Sequence, residues 1–239
     1  MAYTQFTLAS LTEQIQAKVE SSPFFSDEEI RLGLNEAFRV WGMFTGVWKQ
    51  QITVTTSTTL PSPWIAVPTP LFYNVRMQVN GVPLGRSSIG DLDNGRPGWE
   101  GENTASGGDV PTAIKQFAPA GLSLFAIWPY DPVGGTSILV DGVVEAPQLV
   151  LPTDTVDINN DSLQPILGYT LHYLGFKEGG QRWAVAQNYY KEFLLAAMDQ
   201  NDRLATSSFF RKAAGLDINR GQRPLRVGLE AAQRQAGDR

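Results

Sequence analysis

Cysteine is absent from this 239-residue chain, which excludes disulfides, thiolate nucleophiles and Cys-based zinc sites together. Histidine is nearly absent: His172 is the only one, so a histidine metal cluster is impossible and a Ser-His-Asp triad would have to use that single ring. There is no run of eighteen apolar residues, and the opening MAYTQFTLAS has no basic segment leading into an apolar one. Neither a membrane span nor a signal peptide is therefore expected, and the chemistry suits a protein made in a reducing cytoplasm. No G-x-S-x-G elbow and no Walker A loop occurs.

What is present is ordinary globular material, 42% hydrophobic, with 23 glycines and 15 prolines that imply many turns and argue against a purely helical bundle. Charge is unevenly placed. Residues 203–239 hold eight Lys/Arg against three Asp/Glu, a balance of +5, so with −5 over the whole chain residues 1–202 carry −10. An acidic body of that sign does not favour nucleic acid as a partner, whereas a short basic arm can meet any acidic surface.

Apolar spacing divides the chain. Leu8, Leu11, Ile15 and Val19 share one helical face behind Thr7 as a cap. Ser26 and Glu29 form an S-x-x-E capping box, flanked by Phe25 and Ile30 as a hydrophobic staple. Ile30, Leu34, Ala37, Trp41 and Phe44 then predict a helix from Asp27 to Met43. From Gln51 to Val150 the period shortens: QITVTTSTT, WIAVP, NVRMQVNGVPL, LSLFAIW and TSILVDGVVEA read as short strands, with Asn80-Gly81 as a hairpin turn. GDLDNGRPGWEGENTASGGDVP between them reads as a long loop with little apolar anchorage. After DTVDINND, read as a loop, a helix capped by Asp161 or Ser162 carries Pro165 in its first turn and ends at KEGG. A last helix, Gln181 to Asp202, bears Trp183, Ala186, Tyr190, Phe193, Leu194 and Ala197 on one stripe. The expected fold is α+β: a bundle of about four helices (residues 1–50 and 151–203), an inserted β-sandwich or barrel-like domain (51–150) and an extended C-terminal arm (204–239).

Reacting groups are few. Asp91, Asp93 and Glu102 fall at positions 1, 3 and 12 of a calcium-loop register, but Gly95 and Arg96 stand where that loop needs an oxygen ligand and then glycine. The same acids, with Glu100, would serve as a glycosidase pair only at the right separation in space. His172 lies mid-helix, where a packed ring satisfied by one hydrogen bond is the commoner role. Trp64, Trp99, Trp128, Phe117 and Tyr130 could stack on bases or sugars, though sandwich cores use such rings more often. No cofactor, metal or catalytic residue is expected.

The order of parts is similar to that of the head-to-tail connector (portal adaptor) proteins of tailed bacteriophages. The resemblance rests on SDEEIRLGLNEAFRVW, with its Leu-Asn-Glu-Ala centre; on GWEGE…GDVPTAIKQFAPAGLSLFAIWPYDP; and on LQPILGYTLHYLGFKEGGQRWAVAQNYYKEFLLAA, covering residues 7–202. It implies a virion structural protein without enzymatic activity, assembled in the host cytoplasm. Copies would form a ring of about twelve, with the portal protein above and tail or nozzle proteins below. Genomic DNA would pass through the lumen without specific binding, and no membrane would be involved. It further implies that the C-terminal arm docks on the portal, with Phe209 and Phe210 as apolar anchors and Arg211, Lys212, Arg220, Arg223 and Arg226 meeting acidic surface or backbone carbonyls. The alternative reading is a β-sandwich module binding carbohydrate or a receptor in a phage tail or baseplate.

Overall fold

The computed structural model describes residues 3–19 and 24–205. The fold is α+β, with five α-helices, a short 3-10 turn and ten strands among the described residues. β1 (Tyr3–Thr7), α1 (Leu8–Lys18) and α2 (Asp27–Thr45) come first. β2 (Lys49–Thr55), β3 (Trp64–Ala66), β4 (Tyr73–Val79), β5 (Val82–Pro83) and β6 (Gly85–Arg86) lead to α3 (Ile89–Gly95). β7 (Gln116–Pro119), β8 (Leu124–Trp128) and β9 (Ser137–Val143) complete the inserted part; β10 (Thr155–Asn159), α4 (Asn160–Glu178) and α5 (Gly180–Ala205) follow.

Local chemistry explains the helix starts. The Thr7 side chain accepts from the Ser10 amide and caps α1. Ser26 Oγ accepts from the Glu29 amide while the Glu29 carboxylate accepts from the Ser26 amide, so the capping box closes as its spacing requires. α2 ends two residues later than its periodicity predicts. Phe44, expected on the inner stripe, is exposed, and Thr45 is buried in its place, its hydroxyl donating to the Trp41 carbonyl.

Three expectations need correction. DTVDINND is not a loop: Thr155–Asn159 pairs antiparallel with Tyr3–Thr7, and Val156 and Ile158 point inward while Thr155 and Asp157 face out. That strand carries the chain into α4 two to three residues early. The cap is Asn159 and neither Asp161 nor Ser162, so Pro165 lies in the second turn. The stretch from Ser88 to Glu102 is not a weakly anchored loop either; it contains α3, capped reciprocally by Ser88 and Asp91, and two buried apolar side chains, Leu92 and Trp99.

α1, α2, α4 and α5 enclose one core, in which Trp41 packs edge-on against Phe193 at 5.4 Å and the β1–β10 ribbon contributes Val156 and Ile158. The inserted part is a sandwich. One sheet has the order β2-β9-β4-β5 and the other β3-β8-β7-β6. Ile52, Met77, Ile138 and Val140 of the first meet Ile65, Phe117, Phe125 and Ile127 of the second. Asn80 and Gly81, at φ 51° and 77°, make the tight turn between β4 and β5.

The returning chain is fastened to α2 by Asn35. Its amide nitrogen donates to the Leu149 carbonyl (2.9 Å), its amide oxygen accepts from the Leu149 amide (2.9 Å), and Arg31 adds a donor to the same carbonyl (3.3 Å). Asn35→Ala is expected to lower stability by about 1–3 kcal/mol, since the Leu149 amide loses its acceptor and the Leu149 carbonyl keeps only Arg31. Trp41→Ala should cost more, about 3–5 kcal/mol, and Ser26→Ala about 0.5–2 kcal/mol. Guanidinium melts of the three variants check the ranking; a silent Trp41→Ala would contradict the burial of that ring.

Candidate functional site

Phe117 lies inside the sandwich and Tyr130 packs against its core; the other residues singled out for chemistry fall into three places. The first is the outer face of the β3-β8-β7-β6 sheet. LFAIW in β8 is a continuous apolar run because both of its faces are covered: Phe125 and Ile127 point into the sandwich, and Ala126 and Trp128 lie under the 88–102 segment with Leu92 and Trp99. The carboxylates of that segment are engaged in holding it there. Asp91 caps α3. Asp93 accepts from the Trp99 indole N–H (2.8 Å), and Glu102 accepts from the Trp128 indole N–H (2.6 Å). Arg96 lies 4.5 Å above the Trp128 ring and 4.0 Å from Glu102. Trp64, half-buried, meets Trp99 edge-on at 5.8 Å. Glu100 is exposed. Three of the four acids are thus fixed as caps and as acceptors for buried indoles, while the sequence shows only their clustering. Among the described residues, no three His, Asp or Glu side chains gather as metal ligands would.

The second place is the α4–α5 hairpin. His172 Nδ1 donates to the Ala186 carbonyl at 3.2 Å, which assigns the proton to that nitrogen in the neutral ring. The ring stacks on Tyr190 (4.9 Å, 18°) and lies 4.7 Å from Trp183, with Tyr169 at 6.0 Å. Tyr169 continues the series to Phe193 at 4.6 Å. His172 is therefore one rung of an aromatic ladder joining the two helices. Desolvation lowers its pKa below the ordinary 6.5.

Nearby, Lys177 reaches across to the α1–α2 turn. It donates to Glu29 Oε1 (2.5 Å) and to the Phe24 carbonyl (3.2 Å), and its ammonium sits 4.6 Å over the Phe24 ring. The bond from Lys177, aided by the Ser26 amide, holds the Glu29 carboxyl down to about 2. A groove of about 410 Å³ opens beside this contact, lined by Val19, Phe25, Leu171, Leu174, Val185 and Tyr189, with Lys18 and Glu178 as its charged groups. Tyr173, Phe176, Val185 and Leu195 stay exposed on these helices, Phe176 at 72%.

The third place is the arm. Phe209, Phe210, Arg211, Lys212, Arg220, Arg223 and Arg226 lie outside the described residues. No helix among the described residues is long and apolar enough to cross a membrane. No known protein family and no curated protein matches the chain.

As the only histidine, His172 can be titrated without ambiguity. Its NMR midpoint should fall below 6.5, and its linked stability should be complete above pH 6.5 and decline as the pH drops from there to the folded-state value, because the unfolded chain takes up the proton first. A midpoint at or above 6.5 would contradict the desolvated stack. Glu102→Ala should cost about 1–3 kcal/mol by leaving the Trp128 N–H without its acceptor, measurable as a shift in denaturation midpoint at constant slope.

Proposed function

We propose that the chain is a virion structural protein, the head–tail adaptor of a tailed bacteriophage. Copies form a ring that joins the portal to the tail and surrounds the DNA exit channel. The observation that carries this reading is the pairing of spent chemistry with unspent surface. Asp91, Asp93, Glu102 and His172 are committed to caps, indoles and the aromatic ladder, whereas the α4–α5 hairpin leaves Tyr173, Phe176, Val185 and Leu195 open to solvent. A closed ring is built from heterologous contacts, in which a different patch on each side of the subunit is covered by its neighbours. An exposed apolar hairpin supplies one such patch. The acidic body suits a channel through which DNA must pass, since a basic wall would retain phosphates through counterion release.

The three sequence segments that resemble the connector family each have a separate structural role, which further supports the reading. Asn35, in the Leu-Asn-Glu-Ala centre of the first, ties down the returning chain. The second closes the sandwich's outer face, and the third is the α4–α5 hairpin. The carbohydrate-binding alternative gains nothing from Trp99 and Trp128, whose rings are buried with their N–H groups bonded.

In this reading the basic arm carries the attachment to the portal. Truncation after Leu204 should leave the thermal melt of the body unchanged while greatly weakening co-sedimentation with portal rings of the same virus. Replacement of Arg211, Lys212, Arg220, Arg223 and Arg226 alone should weaken binding without abolishing it, because Phe209 and Phe210 remain. Equal binding by the truncated and full-length chains would overturn the role of the arm. Failure of the full-length chain to bind would count against the adaptor reading itself.

A further inference from the structure

At the end of the sandwich where β2 finishes (Thr55), β9 begins (Ser137), β4 finishes (Val79) and β5 begins (Val82), three connections meet: residues 56–63, 80–81 and 129–136. Each side of this tip exposes one aliphatic side chain: Leu60 at 77%, Val133 at 77% and Val82 at 60%. Isolated exposed aliphatics are common, but Leu60 and Val133 belong to connections held rigidly in place. The Asp131 carboxylate accepts from the hydroxyls of Thr56 (3.0 Å) and Thr136 (2.6 Å) and from the amides of Thr136 (3.2 Å) and Val133 (3.1 Å). The Thr56 and Thr136 backbones bond directly (3.0 Å), and Ser57 Oγ accepts from the Leu60 amide (3.0 Å). At Gly134, with φ 77°, an added Cβ would stand 2.3 Å from the Ser57 carbonyl oxygen, so the two longer connections interlock backbone against backbone. Leu60 and Val133 are thus presented to water by loops that cannot fold them away.

The composition of the tip indicates what it would meet. Residues 56–63, 80–83 and 129–136 contain one charged side chain, Asp131, and its oxygens are the hub of the loop network. An acidic or basic partner finds no counter-charge there, and a nucleic acid no cation. The strand register places the tip at the far end of β9 from Val143 and Val144, where the sheet joins the helical body through the Val144–Trp48 backbone bond. It therefore projects away from the part of the molecule that carries the hairpin patch. Three aliphatic side chains make a patch far smaller than the roughly 800 Å² per partner of a standard interface, so a single tip would not hold a second copy end to end. A row of tips on one rim would hold a partner, because each contact raises the effective concentration of the next.

We propose that this tip is a docking face for an uncharged, apolar surface on a different polypeptide, engaged by many copies at once. The assignment rests on the ring reading, in which that polypeptide is the next component on the tail side. The test uses the virus whose genome encodes the chain, supplied in trans with wild-type protein or with Leu60→Asp/Val133→Asp. The variant is expected to melt like wild type, to form rings, and to appear on DNA-filled heads, while the yield of tailed particles falls by on the order of tenfold or more, since the defect repeats in every copy. Normal tailing of heads that carry the variant would overturn the tip assignment and leave the ring reading standing. Loss of ring formation by a normally melting variant would overturn it in favour of a second copy as occupant. Absence of the wild-type protein from the particle would overturn both readings. Should the double variant fail to fold, the cysteine-free chain permits a second probe: Leu60→Cys or Val133→Cys, labelled with a benzophenone maleimide and photolysed within tailed particles. A cross-link to a different tail polypeptide, absent from tailless heads, is expected. A product of twice the 26.2 kDa chain mass alone would overturn the proposal.

Discussion

The structure depends on closing a loop of about a hundred residues inside a helical core. The chain leaves that core after α2 and returns to it by way of Leu149, and a break of this length costs conformational entropy that the helices alone would have to offset. Asn35 reduces the problem locally. Its side-chain amide presents a donor and an acceptor in the geometry of a peptide group, so Leu149 pairs with α2 as a residue in a strand would pair with its neighbour. Val144 and Trp48 join the two crossing segments one step further out. With both ends held, the sandwich can mature its own core between two sheets while α4 and α5 complete the other. A valine or leucine at position 35 would keep the helix but remove both of these bonds to Leu149.

The sandwich meets a second constraint on its outer face. β8 is apolar on both sides, which a two-layer sandwich cannot bury unaided. The 88–102 segment supplies the third layer, and its polar residues solve the difficulty that a layer of tryptophans creates. A buried indole N–H without an acceptor costs about 1–3 kcal/mol, and Asp93 and Glu102 each remove one such cost. Arg96 then lies over the Trp128 ring and beside Glu102, so the carboxylate keeps a counter-charge. The acidity of the segment follows from the rings it covers.

Legibility in the sequence followed the range of the interactions. Elements specified by residues within about one helical turn of each other were readable: the Ser26–Glu29 box, the Thr7 cap, the Asn80-Gly81 turn and the KEGG break between α4 and α5. The β1–β10 ribbon was not, because Phe6 meets Val156 across some 150 residues and each strand is only five residues long. Without that pairing, TVDIN looks like the polar approach to a helix, and the cap is placed too late. The structural roles of the clustered acids were not legible for a related reason. A carboxylate facing a catalytic water and one facing an indole have the same sequence signature; only the position of Trp99 and Trp128 separates them. One clue was available in LFAIW, whose lack of alternation signals a strand covered on both faces.

The same distinction bears on function. Where Asp91, Asp93, Glu102, His172 and Lys177 are engaged by backbone, indoles or a carboxylate, the surface left for interaction is defined by what intramolecular packing does not cover. Among the described residues, that remainder includes two apolar groups, one on the α4–α5 hairpin and one at the end of the sandwich. The hairpin patch mixes aromatic and aliphatic side chains, has Lys177 and Glu178 near it, and lies on helices whose own ladder fixes their spacing. The sandwich tip is aliphatic, uncharged and set by an internal hydrogen-bond hub. Surfaces so different in chemistry discriminate between partners, because a face suited to a charged aromatic edge leaves polar groups unpaired against an aliphatic one. A subunit with two unlike faces on rigid supports cannot satisfy both by pairing with itself once. In the adaptor reading proposed above, one face would join copy to copy and the other would present the same contact around a rim.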